Sequence, residues 1–313
     1  MQYNNVAFVF PGQGSQSIGM LMDLAQIHTE VKQTFDTASQ ILDTDLWKIL
    51  TQGPLEELNQ TENTQPLMLA AGIAVWRVWC KLSELRPGWM AGHSLGEITA
   101  LVCSDALSFD DAVKLVRERA RLMQQAVPQG VGAMAAIIGL DDPDVVGLCK
   151  EISNDYIVSP VNFNAPGQVV VAGHVQAVEK AIEAAKGKGA RRAILLPVSV
   201  PSHCSLMKPA AEQFGHHLNV VDIRSPEILV VHNVDVAPHT APDVIRSVLA
   251  KQLCHPVRWV DTISFMHDQG VNTIVECGPG KVLSGLNKRI VRSCDTLSIL
   301  DKTTLEKALE FLK

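Results

Sequence analysis

No apolar stretch in this chain is long enough to cross a membrane. The longest, Met68 to Trp76 and Gly132 to Leu140, run about nine residues, against the ~20 that a spanning helix needs. Basic clusters are missing as well. Thirty-three acids stand against 27 bases for a net charge of -6, and no window concentrates Lys and Arg as a phosphate-tracking surface would, which excludes nucleic acid as an expected partner. No Lys precedes Lys32 and no Arg precedes Arg77, so neither a secretory leader nor an Arg-rich transit peptide is expected. The seven cysteines (80, 103, 149, 204, 254, 277 and 294) form no C-x-x-C pair and are odd in number. That pattern argues against a disulfide framework and against a metal site, and a reducing cytoplasm is the expected setting.

What is present describes a globular protein. Hydrophobic residues make up 47% and charged residues 19% of 313 residues, with Gly and Pro spread along the chain, a composition that builds a core and excludes disorder. At roughly 100 to 200 residues per domain, the length suits one large domain or two coupled ones.

Val6 to Phe10 is a β-branched and aromatic run cut by Pro11-Gly12, which predicts a buried strand feeding a turn. Helical periodicity follows over Val31 to Leu42 and Pro66 to Leu85, the second opened by Thr64-Gln65-Pro66 with Pro in its first turn. Trp89 to Gly92, Ile228 to Asn233 and Thr273 to Cys277 read as further strands. The outer parts of the chain are therefore expected to be α/β with a mostly parallel sheet.

Between Gly132 and Ser199 the pattern changes. Strand Ala133 to Leu140, a helix opened by Asp141-Asp142-Pro143, strands Ile157 to Phe163 and Val169 to Ala172 joined by the turn Asn164 to Gly167, helix Gln176 to Lys186 and strand Ala193 to Val198 follow in order. That is βαββαβ, the ferredoxin-like split pattern. The expected organisation is a large subdomain of residues 1–128 and 200–313 interrupted by a small one of residues 129–199, with a cleft where they meet.

Gly92-His93-Ser94-Leu95-Gly96 follows a strand and precedes the helical run Glu97 to Leu101. This is G-x-S-x-G in the context of a nucleophile elbow, a strained strand-to-helix turn that needs small residues flanking the Ser. Such a turn presents the Ser94 hydroxyl above the sheet and lets the Leu95 N–H donate to an oxyanion. Gly12-Gln13-Gly14 also follows a strand. It fails as a dinucleotide fingerprint because Ser17 stands where a third Gly or Ala is required, and as a P-loop because Met20-Leu21 follows Gly19. Two readings remain, a plain turn or a loop whose Gln13 N–H completes the oxyanion hole. Gly278-Pro279-Gly280 reads as a plain turn.

A serine nucleophile needs a base, and His is the usual choice at neutral pH. His93 is expected on the far side of the elbow. His203, between a long apolar strand and a helix from Ser205 to Leu218, is one candidate, and His232 and His255 are the others. Arg119 stands out for another reason. The helix from Phe109 to Val127 is opened by Ser108 with Asp111 three residues on. At ~100° per residue, Arg119 projects from the middle of its apolar face. A buried guanidinium must find an anion or many acceptors, so Arg119 either makes a structural ion pair with a core acid or clamps a substrate carboxylate.

Taken together, the stretches Phe8-Val9-Phe10-Pro11-Gly12-Gln13-Gly14-Ser15-Gln16, Gly92 to Glu97, Val200-Pro201-Ser202-His203, Pro160-Val161-Asn162-Phe163-Asn164 and Asn233-Val234-Asp235-Val236 resemble the malonyl-CoA:acyl carrier protein transacylases of fatty acid synthesis. The resemblance spans essentially the whole chain. It implies an α/β-hydrolase-like core with a ferredoxin-like insertion, and a malonyl group carried from malonyl-CoA to the phosphopantetheine thiol of acyl carrier protein through a malonyl-serine. It implies Ser94 as nucleophile, His203 as general base and acid, the N–H groups of Gln13 and Leu95 as oxyanion hole, and Arg119 as partner of the malonyl carboxylate. It also implies that the backbone carbonyl of Gln252 orients the His in place of a triad acid, and that Asn162 either lies on the substrate side or supports residues that do. No cofactor and no metal are implied, and a monomer is expected. The rival class is a serine thioesterase or esterase that finishes with water; a carrier-binding module with a vestigial site is the non-enzymatic alternative.

Carrier proteins of this pathway are acidic, which directs attention to basic stripes. Lys281, Lys288 and Arg292, with Arg289 nearby, share one face of a helix expected over Lys281 to Ser293, opposite Val282, Leu283, Leu286 and Ile290. Arg191-Arg192 begins the last strand of the insertion. Arg191, Arg192, Lys288 and Arg289 are the expected docking residues for the carrier.

Overall fold

A computed structural model describes residues 2–128, 130–154, 156–198 and 200–313 of the protein. Five parallel strands form one sheet: β1 (Gln2–Phe10), β2 (Arg86–Gly92), β7 (Leu229–Val231), β8 (Thr273–Cys277) and β9 (Asp295–Ile299), in the order β7-β2-β1-β8-β9. Helices cover both faces, which is why β1 is apolar on both. Phe8 and Phe10 join the larger core, where the Phe8 ring meets Trp76 and Trp79 edge-on at 5.6 and 5.2 Å. Ala7 and Val9 point the other way, into a cluster with Trp259 and Ile263. Each such buried aromatic or branched side chain contributes about 1.5–3 kcal/mol by leaving water.

The register places the functional loops. Phe10 pairs with Gly92 at the carboxyl ends of β1 and β2, and the His93 N–H donates to the Phe10 carbonyl at 3.0 Å. The loop after β1, which carries Gln13, therefore runs beside the turn that carries Ser94.

Residues of the middle stretch form a second, antiparallel sheet from β3 (Gly132–Ile138), β4 (Val158–Ala165), β5 (Gln168–His174) and β6 (Arg192–Leu195), in the order β4-β5-β3-β6. Helices Asp142–Ile152 and Val175–Gly187 pack on one face through a core of its own. The other face, with Met134, Val161 and Val170, turns towards Cys204. β4 is stitched to the rest of the molecule because the Val257 N–H donates to Val161 O at 2.8 Å and the Phe163 N–H to Val257 O at 3.0 Å. The junctions expected at 129 and 199 lie outside the described residues.

Several expected boundaries move, each for a local reason. The helix expected from Thr64 runs over Thr61–Leu82, so Pro66 sits inside it. Pro66 cannot donate to the carbonyl four residues back, and that carbonyl, Glu62 O, instead accepts from Arg117 Nη1 at 2.9 Å. The Arg119 helix spans Phe109–Gln125, two residues short of Val127, with Ser108 Oγ accepting from the Asp111 N–H at 3.1 Å. The turn expected over four residues tightens to Pro166-Gly167, because Ala165 and Gln168 already pair. The strand expected to reach Val198 stops at Leu195, and the one expected to reach Asn233 stops at Val231. The helix expected over Lys281 to Ser293 is Val282–Ile290, and Val282, expected on its covered face, is 49% exposed. Among the described residues no helix is long and apolar enough to cross a membrane.

Candidate active site

The elbow is built by glycine. A Cβ on Gly92 would fall 1.8 Å from the Gly96 carbonyl carbon, and one on Gly96 would fall 2.1 Å from Phe10 O. Only Gly lets the strand end, the helix start and β1 approach so closely. Between them Ser94 is held at φ 52° and ψ -108°, immediately before helix Leu95–Cys103. A non-Gly residue at positive φ is strained backbone, and it persists only where the surroundings enforce it. Both backbone groups of Ser94 are in fact tied: its N–H donates to Asn233 Oδ1 at 2.8 Å, and its carbonyl accepts from Gln252 Nε2 at 2.9 Å.

Ser94 Oγ lies 2.8 Å from His203 Nε2. His203 Nδ1 lies 2.8 Å from the Gln252 carbonyl, an acceptor only, so Nδ1 carries the proton and Nε2 is the free base facing the hydroxyl. Burial, reinforced by the nearby Arg119 charge, pulls the His203 pKa down from 6.5 to about 3. The imidazole is therefore neutral and able to accept a proton at pH 7. It sits in a turn at φ 66° and is only 3% exposed. His232 and His255 do not reach Ser94. The first is buried against Glu97, with Nδ1 2.7 Å from Oε1, and the second meets Lys251 O at 2.8 Å.

Arg119 is 1% exposed. Its Nη1 donates to Gln65 Oε1 at 2.8 Å, and its Nη2 donates to Gln252 Oε1 at 2.8 Å and to Ser94 Oγ at 3.1 Å. Its Nε has no partner among the described residues. Among the described residues none of the ion pairs includes Arg119. Burial pulls its pKa down from 12.5 to about 10, opposed by the more distant Glu97 carboxylate, which leaves it charged at neutral pH. Two neutral amides thus hold a buried cation against the nucleophile with a donor to spare. No carboxylate among the described residues meets it within ion-pair distance, so the structural ion pair with a core acid is not formed.

The cavity over Ser94 measures about 130 Å³ and takes its walls from both sheets. Gln13, Leu95, Arg119 and His203 line it from the larger part of the molecule, and Met134, Asn162, Leu196 and Val198 from the second sheet and the segment after it. The N–H groups of Gln13 and Leu95 face no acceptor among the described residues' backbone bonds. Asn162 Oδ1 is buried without a partner among the described residues. Contrary to its expected place on the far side of the elbow, His93 lines the same cavity, with Nε2 2.8 Å from Asn164 Oδ1. At Cys204, beside His203, burial pushes the thiol pKa up to about 11, and Sγ donates to Pro201 O at 3.1 Å.

The basic residues Arg191, Arg192, Lys288 and Arg289 are all exposed, as are Lys281 and Arg292. Arg289 is not free in the way the stripe implied. Its Nη2 donates to Pro166 O at 2.9 Å and its Nη1 to Gln168 Oε1, so it ties its helix to the β4–β5 turn.

Sequence reasoning missed Gln65, Glu97 and the side chains of Asn233 and Gln252. Glu97 had left a signal, as the one charged residue in the apolar helix Leu95–Cys103. Gln65 had left none, since polar residues at a helix start are ordinarily solvated.

Comparison with known proteins adds the following. The acyl transferase domain family matches residues 7–305. A malonyl CoA-acyl carrier protein transacylase of Escherichia coli K12 is 52% identical over 304 residues, 97% of this chain and 98% of that protein. The Bacillus subtilis protein of the same name is 44% identical over 311 residues, covering 99% and 98%. Among solved structures, an acyl carrier protein S-malonyltransferase of Vibrio cholerae superposes with a TM-score of 0.95 at 51% identity, covering 97% of this chain and 99% of that one. A malonyl-transacylase in complex with a holo acyl carrier protein of a type II polyketide synthase superposes with a TM-score of 0.97 at 51% identity, covering 98% and 99%.

Proposed function

The chain belongs to the acyl transferase domain family as a malonyl-CoA:acyl carrier protein transacylase of fatty acid synthesis, and from that premise we propose how its own residues divide the reaction. Ser94 Oγ attacks the thioester carbonyl of malonyl-CoA while its proton passes to His203 Nε2. The N–H groups of Leu95 and Gln13 receive the charge on the tetrahedral oxygen. As that intermediate collapses, the C–S bond breaks and the departing thiolate takes the proton from His203, leaving malonyl-Ser94 and free CoA. The carrier's phosphopantetheine thiol then gives its proton to His203 and attacks the same carbonyl. Collapse of the second intermediate returns the proton to Ser94 and releases malonyl-carrier, a ping-pong sequence.

One observation carries the choice of acyl group. Arg119 is a buried cation without a carboxylate of its own, 3.1 Å from the nucleophile oxygen. A malonyl unit esterified to that oxygen ends in a carboxylate within reach of the same guanidinium. Asn162, whose orphaned Oδ1 sits in the cavity wall, is on this reading an acceptor for an N–H of the pantetheine arm.

The finer architecture belongs to the same reading. Strand order β4-β5-β3-β6 with two helices on one face supports a ferredoxin-like small subdomain of residues 129–199, set into an α/β-hydrolase-like core of residues 1–128 and 200–313. Lys288, Arg191 and Arg192 receive the acidic carrier at the mouth of the cleft, with Arg289 bracing the two parts. A cytoplasmic setting, where thioester donor and thiol acceptor meet, completes the reading.

Product analysis tests it against the hydrolase alternative. With malonyl-CoA and holo carrier protein the expected product is malonyl-carrier, formed stoichiometrically with free CoA. Free malonate as the main product in the presence of carrier would show that water is the acceptor.

A further inference from the structure

We infer that Glu97 is a positioning residue for the transfer: from beneath the elbow, its carboxylate sets the orientation of Asn233 and Gln252, the two amides that hold Ser94, His203 and Arg119 in place. The inference rests on the transacylase reading of the site. Glu97 is fully buried in the first turn of helix Leu95–Cys103. Its Oε1 meets His232 Nδ1 at 2.7 Å, and its Oε2 accepts from the Asn233 N–H at 3.0 Å and from Gln252 Nε2 at 2.9 Å. His232 Nε2 is buried without a partner among the described residues. A carboxylate only accepts, so the His232 proton belongs on Nδ1, donated to Glu97.

The consequence lies in Gln252. One of its Nε2 hydrogens goes to Ser94 O and the other to Glu97 Oε2, both at 2.9 Å. A carboxylate can only accept. It therefore fixes which end of the Gln252 amide faces it, and leaves Oε1 facing Arg119 Nη2 at 2.8 Å. The reversed amide would set an NH2 group against a guanidinium, donor against donor. Gln252 also presents the backbone carbonyl that holds the His203 proton on Nδ1. On the other arm, the backbone of Asn233 is anchored to Glu97. Its side chain ties the Ser94 N–H through Oδ1 and Gly92 O through Nδ2, both at 2.8 Å. One acceptor-only group thus fixes both backbone ties of the strained nucleophile and the aim of the carboxylate-reading cation.

Glu97→Gln removes that constraint with little change of volume, because an amide at position 97 can meet either end of Gln252. Glu97→Asp, assayed beside it, keeps the charge but withdraws it by one methylene. The measurement is the single-turnover acylation of Ser94 by malonyl-CoA and by acetyl-CoA, followed by intact mass, in wild type, both variants, Arg119→Ala and the Arg119→Ala/Glu97→Gln pair. Acylation is expected to slow with both donors, and the malonyl-over-acetyl ratio to fall more than threefold in each folded single variant. In the Arg119→Ala background Glu97→Gln is expected to leave that ratio unchanged, the coupling expected of residues acting through one network. A ratio within threefold of wild type in folded protein, whatever the melting temperature, overturns the inference, as does an equal shift in the Arg119→Ala background. Wild-type acylation by malonyl-CoA is the common control, and its failure would sink the transacylase reading rather than the role of Glu97.

Discussion

At the residue scale the protonation of two side chains, His203 and Arg119, follows from where they sit. His203 is the one with a pH signature. Its pKa falls from an ordinary 6.5 to about 3 in the folded protein, so between those values the unfolded chain binds a proton that the native state does not. Stability contributed by a depressed group is present above the unfolded pKa and is lost as pH falls towards the folded one. On acidification from pH 7 to pH 5, this one group should remove on the order of 2 kcal/mol. His203→Gln should lose that much less than wild type over the same interval, read from denaturant melts at the two pH values. Identical losses would place the His203 pKa near its ordinary value. Activity carries the same sign: acylation of wild type should stay level from pH 8 to pH 5 instead of falling through 6.5. His203→Ala should slow it by roughly 10²–10⁴-fold, and a near-normal rate in stopped-flow CoA release would mean that another base serves Ser94. Arg119→Ala should depress acylation by malonyl-CoA far more than by acetyl-CoA, because only the first brings a carboxylate to the guanidinium. Arg119→Lys restores a point charge without the fork, and so should recover the malonyl rate in part at best. Equal losses with both donors in folded protein would contradict the receptor role.

At the element scale, strain at Ser94 is tolerated because two glycines let three backbone segments converge. Gly96→Ala places a methyl 2.1 Å from Phe10 O, a clash with backbone rather than with a flexible side-chain end, and should cost about 3 kcal/mol of stability. Equilibrium unfolding measures this directly; a loss under 1 kcal/mol would mean that β1 and the elbow can separate freely. The same elements show what a sequence discloses. β8 is legible to its ends because β-branched residues bounded by turns have one reading, and Arg119 was legible because a cation on an apolar helical face breaks the 3.6 period. The start of helix Thr61–Leu82 was misplaced. Pro66 suggests a first turn, and only the fold shows that Arg117, 55 residues along from Glu62, satisfies the carbonyl that Pro66 leaves open. Strand β7 was read too long for a related reason: His232 and Asn233 follow directly on its apolar run in sequence, but they turn out of the sheet to meet Glu97, more than 130 residues earlier. Contacts of that separation leave no local pattern.

At the scale of the whole molecule, two sheets meet over one cavity, and surface charge is set apart from net charge. A chain of net charge -6 keeps Lys288, Arg191 and Arg192 exposed. Charge reversal at Lys288 and Arg192 should raise KM for the carrier protein and steepen no other dependence, because rim charges act on association. Acylation by malonyl-CoA should be unchanged. A wild-type carrier KM at low salt would move docking to another face. The central claim, a malonyl group held covalently on Ser94, has a direct measurement: intact and peptide mass spectrometry after brief exposure to malonyl-CoA alone. The account predicts a single malonyl adduct on the peptide containing Ser94, absent from Ser94→Ala and discharged on addition of holo carrier protein. An adduct that survives Ser94→Ala, or one located on Cys204, would contradict it.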